Sequence, residues 1–565
     1  MRLSEFQIQL QEQLNGVPEK DLDNIIGEFD KGDGQETSDS EPWGNPGEHT
    51  GSEKKSQADL LIEIAAGSNA EFFHTPIQDS FISIPVASHF ENWPVRSKAV
   101  RHWLTLGFYK KTRKAPSNEA LQSALGVLDA RALFEGTQEE VHLRTAWHDG
   151  VLYYDLADSN WRAVRIDKTG WQLIHKPSVR FRRYSHTATQ VEPKAGGSID
   201  LLWNFLNVPG ARDRRLLSSW LCTGLIPDIP RPLLVLHGDQ GSAKSNLCKF
   251  LLALLDPSTV PCLTTKNGPE LIQGLAHRFG GILDNVSTIP EWLSDLLCRA
   301  VTGEGFTKRQ LFTDDDDVVY RYMRLLLFNG INVAISKADL LDRCLIIGVE
   351  RISEETRKDE KTLWKQFEGV KPLLLGTIFD HLAAAMREFS NIKPSRLPRM
   401  ADFARWGMAI AAGQGKDPEG FTADFAKNVE RQNEEAIEGS VTATVTLNWL
   451  QNNLRSEDDS GNWSGEPHEL HRELKAHAES LNVPDKHFPP DAATLSKKLR
   501  EVRPNLLSLG WSIDFGKGRR RRITIQRISP KNAVSPDAAA LSITDSAPIC
   551  DTNDGCDSKT PVSSD

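Results

Sequence analysis

The chain has 565 residues, 39% of them apolar and 25% charged, with a formal net charge of −10 at pH 7. That length exceeds a single core and predicts three or four domains of about 150 residues each. No apolar run approaches the ~20 residues that span a bilayer, no short apolar block with a cleavage site opens the chain, and the seven cysteines form no C-x-x-C pair. These features speak against membrane partners, a secretory leader, a zinc module and a disulfide framework, and predict a reducing cytoplasm.

In chain order, residues 1–57 are acidic, Gly/Ser-rich and nearly free of apolar periodicity, and are expected to be disordered. Residues 58–193 read as an α+β domain of open role. ADLLIEIAA and VRSKAVRHWLTLGFYKK space apolar residues three and four apart, as helices do, and SNEALQSALGVLDARALF is a third helix with Ser117 placed to cap it. VHLRTAWHDG, VLYYDL, WRAVRID, WQLIH and VRFRRY are short strands of an antiparallel sheet. Asp155 and Asp158 read as a solvated turn in preference to a metal pair. Residues 194–230 form a helical collar, 231–352 a compact α/β core, 353–440 a helical region, 441–528 a basic helix–helix–hairpin module and 529–565 a disordered tail. Cys550 and Cys556 in that tail have no partner His nearby.

RPLLVLHGDQGSAKSNLCKFLLALL is a strand, a Gly-containing loop and a helix, and Gly238 to Ser245 has the length of G-x-x-x-x-G-K-S. Such a loop points backbone amides at phosphates, which small residues permit. Gly238, Gly241, Ser242, Ala243, Lys244 and Ser245 are therefore the expected binding residues for ATP or a close relative. Lys244 would reach the β/γ-phosphates, and Ser245 would ligate Mg²⁺. Ala243 stands where the last Gly is usual.

Some forty residues on, FGGILDN gives a second apolar strand ending in Asp284, the acid that holds Mg²⁺. Asn285 follows, where a Glu often activates water; Asn takes no proton but can orient a water, and Glu291 and Asp295 are nearby alternatives. RLLLFNGIN is a third strand with Asn329 at its tip, either a γ-phosphate sensor or a turn-forming Asn-Gly. Arg343 precedes a fourth strand, as an arginine finger toward a neighbouring subunit or in a surface salt bridge with Asp342 or Asp339.

The order GDQGSAKS, ILDN, LCRAVTGEGFTKRQLFTDDDDVVYRYMRLLLFNG and LLDRCLIIGV resembles superfamily 3 helicases, most of all the phage, plasmid and poxvirus primase-helicase ATPases of the AAA+ class. The third piece carries the resemblance furthest. It implies a parallel-sheet ATPase in a ring homo-oligomer, a hexamer, in which Lys308 and Arg309 grip single-stranded DNA from a pore-facing loop, Asn329 is the sensor and Arg343 the finger. Asn285 departs from the family pattern and puts the hydrolysis rate in doubt. The acidic run Asp314 to Asp317 beside Lys308 belongs on the outer turn of that hairpin or against a neighbour's Arg.

Between Asp491 and Pro530, ten Lys/Arg outnumber three Asp/Glu. HELHRELKAHAESLN, DAATLSKKLREVRPNLLSLG and WSIDFGKGRRRRITIQRI read helix, helix, hairpin, an order that fits a winged helix, with Lys497, Lys498, Arg500 and Arg503 on the second helix and Arg519, Arg520, Arg521 and Arg522 on the wing. Such contacts to DNA phosphates are sequence-nonspecific; a solubilising edge strand or a nuclear-import patch is the other reading of RRRR. The expected function is an ATP-dependent DNA helicase or translocase replicating a phage, plasmid or integrated mobile element, acting on single-stranded or forked DNA with a primase or initiator as partner. The alternatives are a DNA-binding ATPase switch or loader without unwinding, and an ATP-binding scaffold in a defence or regulatory system.

Overall fold

The computed structural model describes residues 55–528 except 239–240, 266, 287–288, 310–316, 321, 330–337, 352–354, 356–358, 395–396, 455–461 and 517–521. The expectations for residues 1–54, for Asp314 to Asp316, for Arg519, Arg520 and Arg521, and for the tail with Cys550 and Cys556 lie outside the described residues. The chain forms two compact units, one up to Gln432 and one from Asn433.

Helix α1 (Gln57–Ala66) begins inside the stretch expected to be disordered, because Ser56 and Asp59 form a reciprocal capping box. Strands β1 (Glu71–His74), β2 (Ser80–Val86) and β3 (His89–Pro94) follow, and the sequence reading had none here. The reason is visible in β2, whose middle four residues are buried on both faces and show no alternation. Helices α2 (Lys98–Thr112) and α3 (Asn118–Phe134) come next, and the Ser117 hydroxyl accepts from the Ala120 amide to start α3. Strand β4 (Thr137–Gln138) closes the sheet in the order β3-β2-β1-β4. Leu61, Val100, Leu104, Leu125 and Leu128 fill the core between this sheet and its helices.

Short β5 (Val141–His142) then leads into an antiparallel meander of β6 (Thr145–His148), β7 (Val151–Asp155), β8 (Ala163–Asp167) and β9 (Gly170–Ile174), after which β10 (Arg180–Phe181) pairs with β5. Asp155 and Asp158 are buried here and do not form a solvated turn. Asp155 accepts from Arg183 at 2.9 Å and 2.6 Å, and Asp158 accepts from Arg162 at 2.5 Å. Burial makes both carboxylates depend on these cations, a pairing that a D-x-x-D spacing does not reveal.

A 3₁₀ turn (Ile199–Asn204) and α4 (Ala211–Thr223) precede the parallel sheet. Its elements are β11 (Leu233–His237), α5 (Lys244–Leu255), α6 (Gly268–Ala276), β12 (Gly280–Asp284), α7 (Glu291–Thr302), the hairpin β13 (Phe306–Arg309) and β14 (Asp317–Tyr320), β15 (Leu325–Asn329), α8 (Ala338–Leu341) and β16 (Cys344–Gly348). The parallel sheet runs β12-β15-β11-β16. Its strands are nearly continuous apolar runs because both faces are covered. Helices α9 (Glu360–Glu388), α10 (Ala401–Gly413) and α11 (Pro418–Glu438) follow.

One core crosses residue 193: Tyr154 and Ile166 of the meander pack in the same cluster as Trp220, Leu234, Phe250 and Phe379. The crossing chain lies directly on α9, where the Lys194 amide donates to Pro372 O at 2.9 Å. A Cβ at Gly376 would stand 2.0 Å from Lys194 O, so only glycine admits that approach. Arg144 is buried at the same junction, donating to Asp256 at 2.9 Å and to Asp155 O at 3.0 Å, while Asp256 also accepts from the Gly280 amide at 3.0 Å.

The second unit contains α12 (Val441–Asn453), β17 (Asn462–Gly465), α13 (Pro467–Ser480), α14 (Ala492–Ser508), β18 (Trp511–Phe515) and β19 (Ile523–Arg527), with an antiparallel sheet in the order β17-β19-β18. Leu450, Leu470, Leu499, Leu506, Ile513 and Ile525 share its core. No described helix is long and apolar enough to cross a membrane.

Because breaking a buried ion pair strands a charge, Asp256→Ala is expected to destabilise the first unit by about 3–5 kcal/mol. Urea unfolding followed by tryptophan fluorescence checks this; an unchanged midpoint would mean that Arg144 gains no stability from its partner.

Candidate functional site

The site grows out of strand register. Asp284 of β12 stands opposite Asn329 of β15, which stands opposite Leu236 of β11. All three strands run parallel, so their carboxyl ends share one edge of the sheet. Inserting β15 between β11 and β12 sets the polar tip of β15 between the acid of β12 and the loop that leaves β11.

The start of that loop is tightly held. The Val349 amide donates to His237 O at 2.8 Å, and a Cβ on Gly238 would stand 2.1 Å from Val349 O. Gly241 (φ 85°) and Ala243 (φ 56°) are both left-handed. Glycine adopts that region freely, whereas a residue with a Cβ meets a cost of about 1–2 kcal/mol. Ala243 thus keeps the glycine-like backbone under strain. As N-cap of α5 it makes no side-chain cap bond, so the first-turn amides are left to the loop side.

Lys244 is buried and donates to Gly238 O at 2.6 Å and Ser242 Oγ at 3.3 Å, folding its ammonium back over the loop. Ser245 Oγ donates to Asp284 Oδ1 at 2.9 Å. Asn329 Nδ2 donates to Ser245 Oγ at 2.8 Å and to Asp284 Oδ1 at 2.7 Å. Two side chains distant in sequence, Ser245 and Asn329, therefore converge on one oxygen of Asp284. Beneath them, burial pushes the Cys248 thiol of α5 up, so it packs as a neutral group.

The hydroxyl and carboxylate oxygens of Ser245 and Asp284 are hard donors, the type that a magnesium ion takes. Among the described residues no group of three or more His, Cys, Asp or Glu could hold a metal ion. A magnesium site at phosphates does not need one, since one or two protein oxygens suffice there.

Asn285 is exposed at φ 54° immediately after β12, and Glu291 and Asp295 are exposed on the first turns of α7. Arg343 lies at the opposite edge of the sheet, just before β16, five positions from its carboxyl end. It does not reach the loop of its own chain; it donates to Asp339 O at 2.6 Å and pairs with the Asp339 carboxylate at 2.5 Å, its side chain 14% exposed. Arg399 shares Asp339 and donates to Asp342 at 2.6 Å. Burial pushes Asp339 up, but Arg343 and Arg399 outweigh it and hold the carboxyl below its usual range.

Sequence reasoning missed a cavity of about 410 Å³ that opens beside Gly238, bounded by Pro209, Asp213, His237, Glu350 and Arg431. Asp213 braces it, accepting from the Gly348 amide at 2.9 Å and from Arg431 at 3.3 Å. Its walls come from α4, the end of β16 and α11, and no local pattern announces a site assembled from such distant segments.

The β13–β14 hairpin sets Lys308 opposite Val318 and Arg309 opposite Asp317. In the second unit, Lys497, Lys498, Arg500 and Arg503 are all exposed on α14, opposite its buried Leu495, Leu499, Val502 and Leu506. Arg500 lies over the Phe515 ring at 4.4 Å, and Arg522 is exposed just before β19.

Residues 199–423 match the family model described as the actinomycete integrative conjugative element replication protein. Residues 443–540 match the model for the C-terminal domain of the RepA proteins of these elements. No curated protein matches the chain. Among solved structures, the chain is similar to the NrS-1 C-terminal region at 12% identity, covering 84% of this chain and 100% of that one, with a TM-score of 0.37. It is also similar to an active helicase, the Cch of SCCmec type IV, at 11% identity, covering 81% of this chain and 92% of that one, with a TM-score of 0.43.

Two substitutions in the loop should move stability in different ways. Gly238→Ala forces a methyl onto Val349 O and is expected to cost about 1–3 kcal/mol. Ala243→Gly removes the left-handed strain and is expected to stay within about 1 kcal/mol of the parent or exceed it. Thermal melts of both variants decide; equal melting of Gly238→Ala and parent would contradict the close approach.

Proposed function

We propose that the chain is an ATP-driven DNA translocase or helicase that replicates an integrated mobile element in the cytoplasm. The observation that carries the reading is the convergence of Ser245 and Asn329 on Asp284 beside the Gly238–Ser245 loop. The match to a replication protein of integrative conjugative elements supports the biological setting.

On this reading Gly238, Gly241, Ser242, Ala243, Lys244 and Ser245 form a P-loop of an AAA+-like core, in the manner of superfamily 3 helicases. Amides at the start of α5 meet the phosphates, and Lys244 exchanges Gly238 O for a phosphate oxygen. Ser245 and Asp284 would hold Mg²⁺, which would supply positive charge against the charge that develops in phosphoryl transfer. Asn329 holds Asp284 through its amide nitrogen and offers its carbonyl oxygen to a water, fixing that water's direction of attack. Asn285 can assist such positioning but cannot take the proton. The cavity beside Gly238 has room for the nucleoside end of the substrate.

Arg343 serves the nucleotide of the next subunit in a ring of identical chains, a hexamer, since its own loop is at the other edge of the sheet. When Arg343 leaves Asp339, Arg399 remains to pair that carboxylate. Lys308 and Arg309 track the backbone of a single strand through the ring. The second unit is winged-helix-like, with Lys497, Lys498, Arg500, Arg503 and the Arg519, Arg520, Arg521 and Arg522 wing on phosphates of single-stranded or forked DNA, and a primase or initiator acts alongside.

The test is ATP hydrolysis by the purified full chain, with and without single-stranded DNA. We expect strong stimulation by DNA, and a fall to about 1% or less in Lys244→Ala, as when one preorganised electrostatic contact is lost. Tight ATP binding with negligible turnover under both conditions would sink the motor and leave a DNA-binding switch. A separate measurement concerns the second unit: replacing Lys497, Lys498, Arg500 and Arg503 with Ala should weaken DNA binding regardless of sequence. It should flatten the salt dependence by about 0.7 per lost contact on single strands, and an unchanged slope would remove α14 from the interface.

A further inference from the structure

The turn after β10 carries Arg182, Tyr184 and His186, and backbone bonds fasten it down. Thr187 N donates to Tyr184 O at 2.9 Å, Ala188 N to Pro257 O at 3.0 Å and Thr259 N to His186 O at 2.9 Å. The Tyr184 ring stacks on His277 at 4.3 Å and 21°, and lies nearly parallel to His186 at 5.9 Å and 14°. The Arg182 guanidinium sits over Tyr184 at 4.6 Å. All four side chains are partly exposed. Rings held this way have lost their conformational freedom before any ligand arrives.

Arg182, Arg278 and Arg324 lie beside His277, and Asp79 near Arg182 offsets part of that positive charge. Arg324 donates to Leu275 O at 2.6 Å and Ala276 O at 3.2 Å, the last carbonyls of α6. Arg231 donates to Ile226 O at 2.6 Å and Met323 O at 3.1 Å. Burial pulls the Arg324 guanidinium down to about 9 and that of Arg231 down to about 10. The nearby Asp256 is engaged by Arg144. Burial, with neighbouring arginines adding to it, also holds His186 and His277 below the usual imidazole range, so both rings are neutral at neutral pH.

Position gives the cluster its meaning. Tyr322 and Arg324 lie just after β14, and Tyr322 Oη donates to Ile272 O of α6 at 3.4 Å, while His277 caps that same helix. The stack therefore stands at the foot of the β13–β14 hairpin.

We propose that Arg182, Tyr184, His186 and His277 form a second contact for single-stranded DNA, with bases stacking on the rings and phosphates meeting Arg182 and Arg278, the latter a neighbour of His186 that donates to Val260 O. The assignment rests on the proposed DNA-dependent function and adds a site to it. Rings stack on any unpaired base, and a basic surround tracks phosphates without reading sequence. A duplex hides its base faces, so the cluster prefers a single strand.

The experiment uses the full chain and fluorescein-labelled oligo-dT, read by anisotropy, together with ultraviolet cross-linking and peptide mapping on the unaltered protein. The double variant Tyr184→Leu/His277→Ala is expected to bind oligo-dT about tenfold more weakly, with duplex binding unchanged, and cross-links are expected at Tyr184 or His277. Lys308→Ala/Arg309→Ala is measured in parallel. If the hairpin variant weakens binding while the stack variant does not, and no cross-link maps to 182–186 or 277, the second contact is overturned and the main reading stands. If the unaltered chain binds no oligo-dT, both fall. Should the stack variant unfold, the cross-link map on the unaltered protein decides alone, and its absence from these residues overturns the assignment.

Discussion

The arrangement depends most on the register of three parallel strands. With β15 inserted between β11 and β12, Asn329, Asp284 and the loop after Leu236 arrive at one edge of the sheet. A slip of one residue would turn each tip to the opposite face. The same strand has a second attachment: five residues before its start, β14 ends the hairpin, and Arg324 ties the intervening segment to the carboxyl end of α6. A strand of five residues spans roughly 17 Å. It therefore carries Asn329 at one end and, at the other, the segment that leads back to the hairpin. In the proposed motor, this strand, fixed on both sides by parallel neighbours, would be the connection between the phosphate site and the hairpin.

Much of this was legible because the informative signals were local. Strand, glycine loop and helix succeed one another within RPLLVLHGDQGSAKSNLCKFLLALL, and the apolar runs ending in Asp284 and Asn329 end there in the structure too. The early strands β1 to β3 were not legible, because buried residues on both faces of β2 erase the alternation that marks a strand. The fate of Asp155 and Asp158 was hidden for another reason. Their partner Arg183 comes from a later segment, and the nearer Arg162 gives no hint of burial. The cavity beside Gly238 was invisible on the same ground, since Asp213 and Arg431 stand 218 positions apart. The core that continues across residue 193 rests on Tyr154 and Phe379, whose contact at 5.3 Å no composition shift records.

The charge distribution follows a common rule. Net charge is −10, yet cations are concentrated where carboxylates are scarce. On α14 they occupy the solvent face because Leu495, Leu499 and Leu506 claim the other. Near α6 they are partly or wholly buried and satisfied by helix-end carbonyls, which offset a guanidinium only in part. Carboxylates elsewhere, such as Asp256, are already committed to internal pairs. A global sum therefore says little about affinity for an anionic polymer, whereas the local surplus does, within a Debye length of about 8–10 Å.

Arg343 sits in an ion-pair network that does not depend on it alone. Its pairing with Asp339 has the look of a simple strut, and in an isolated chain it is one. Yet Asp339 also engages Arg399, which in turn holds Asp342. Asp339 is 54% exposed, so losing one of its two cations costs it little. The network thus keeps Asp339 satisfied whether or not Arg343 remains. A residue serving only as a strut gains nothing from that redundancy. The proposed finger would use it, because the energy of releasing Asp339 would be subtracted from whatever a contact in trans contributed.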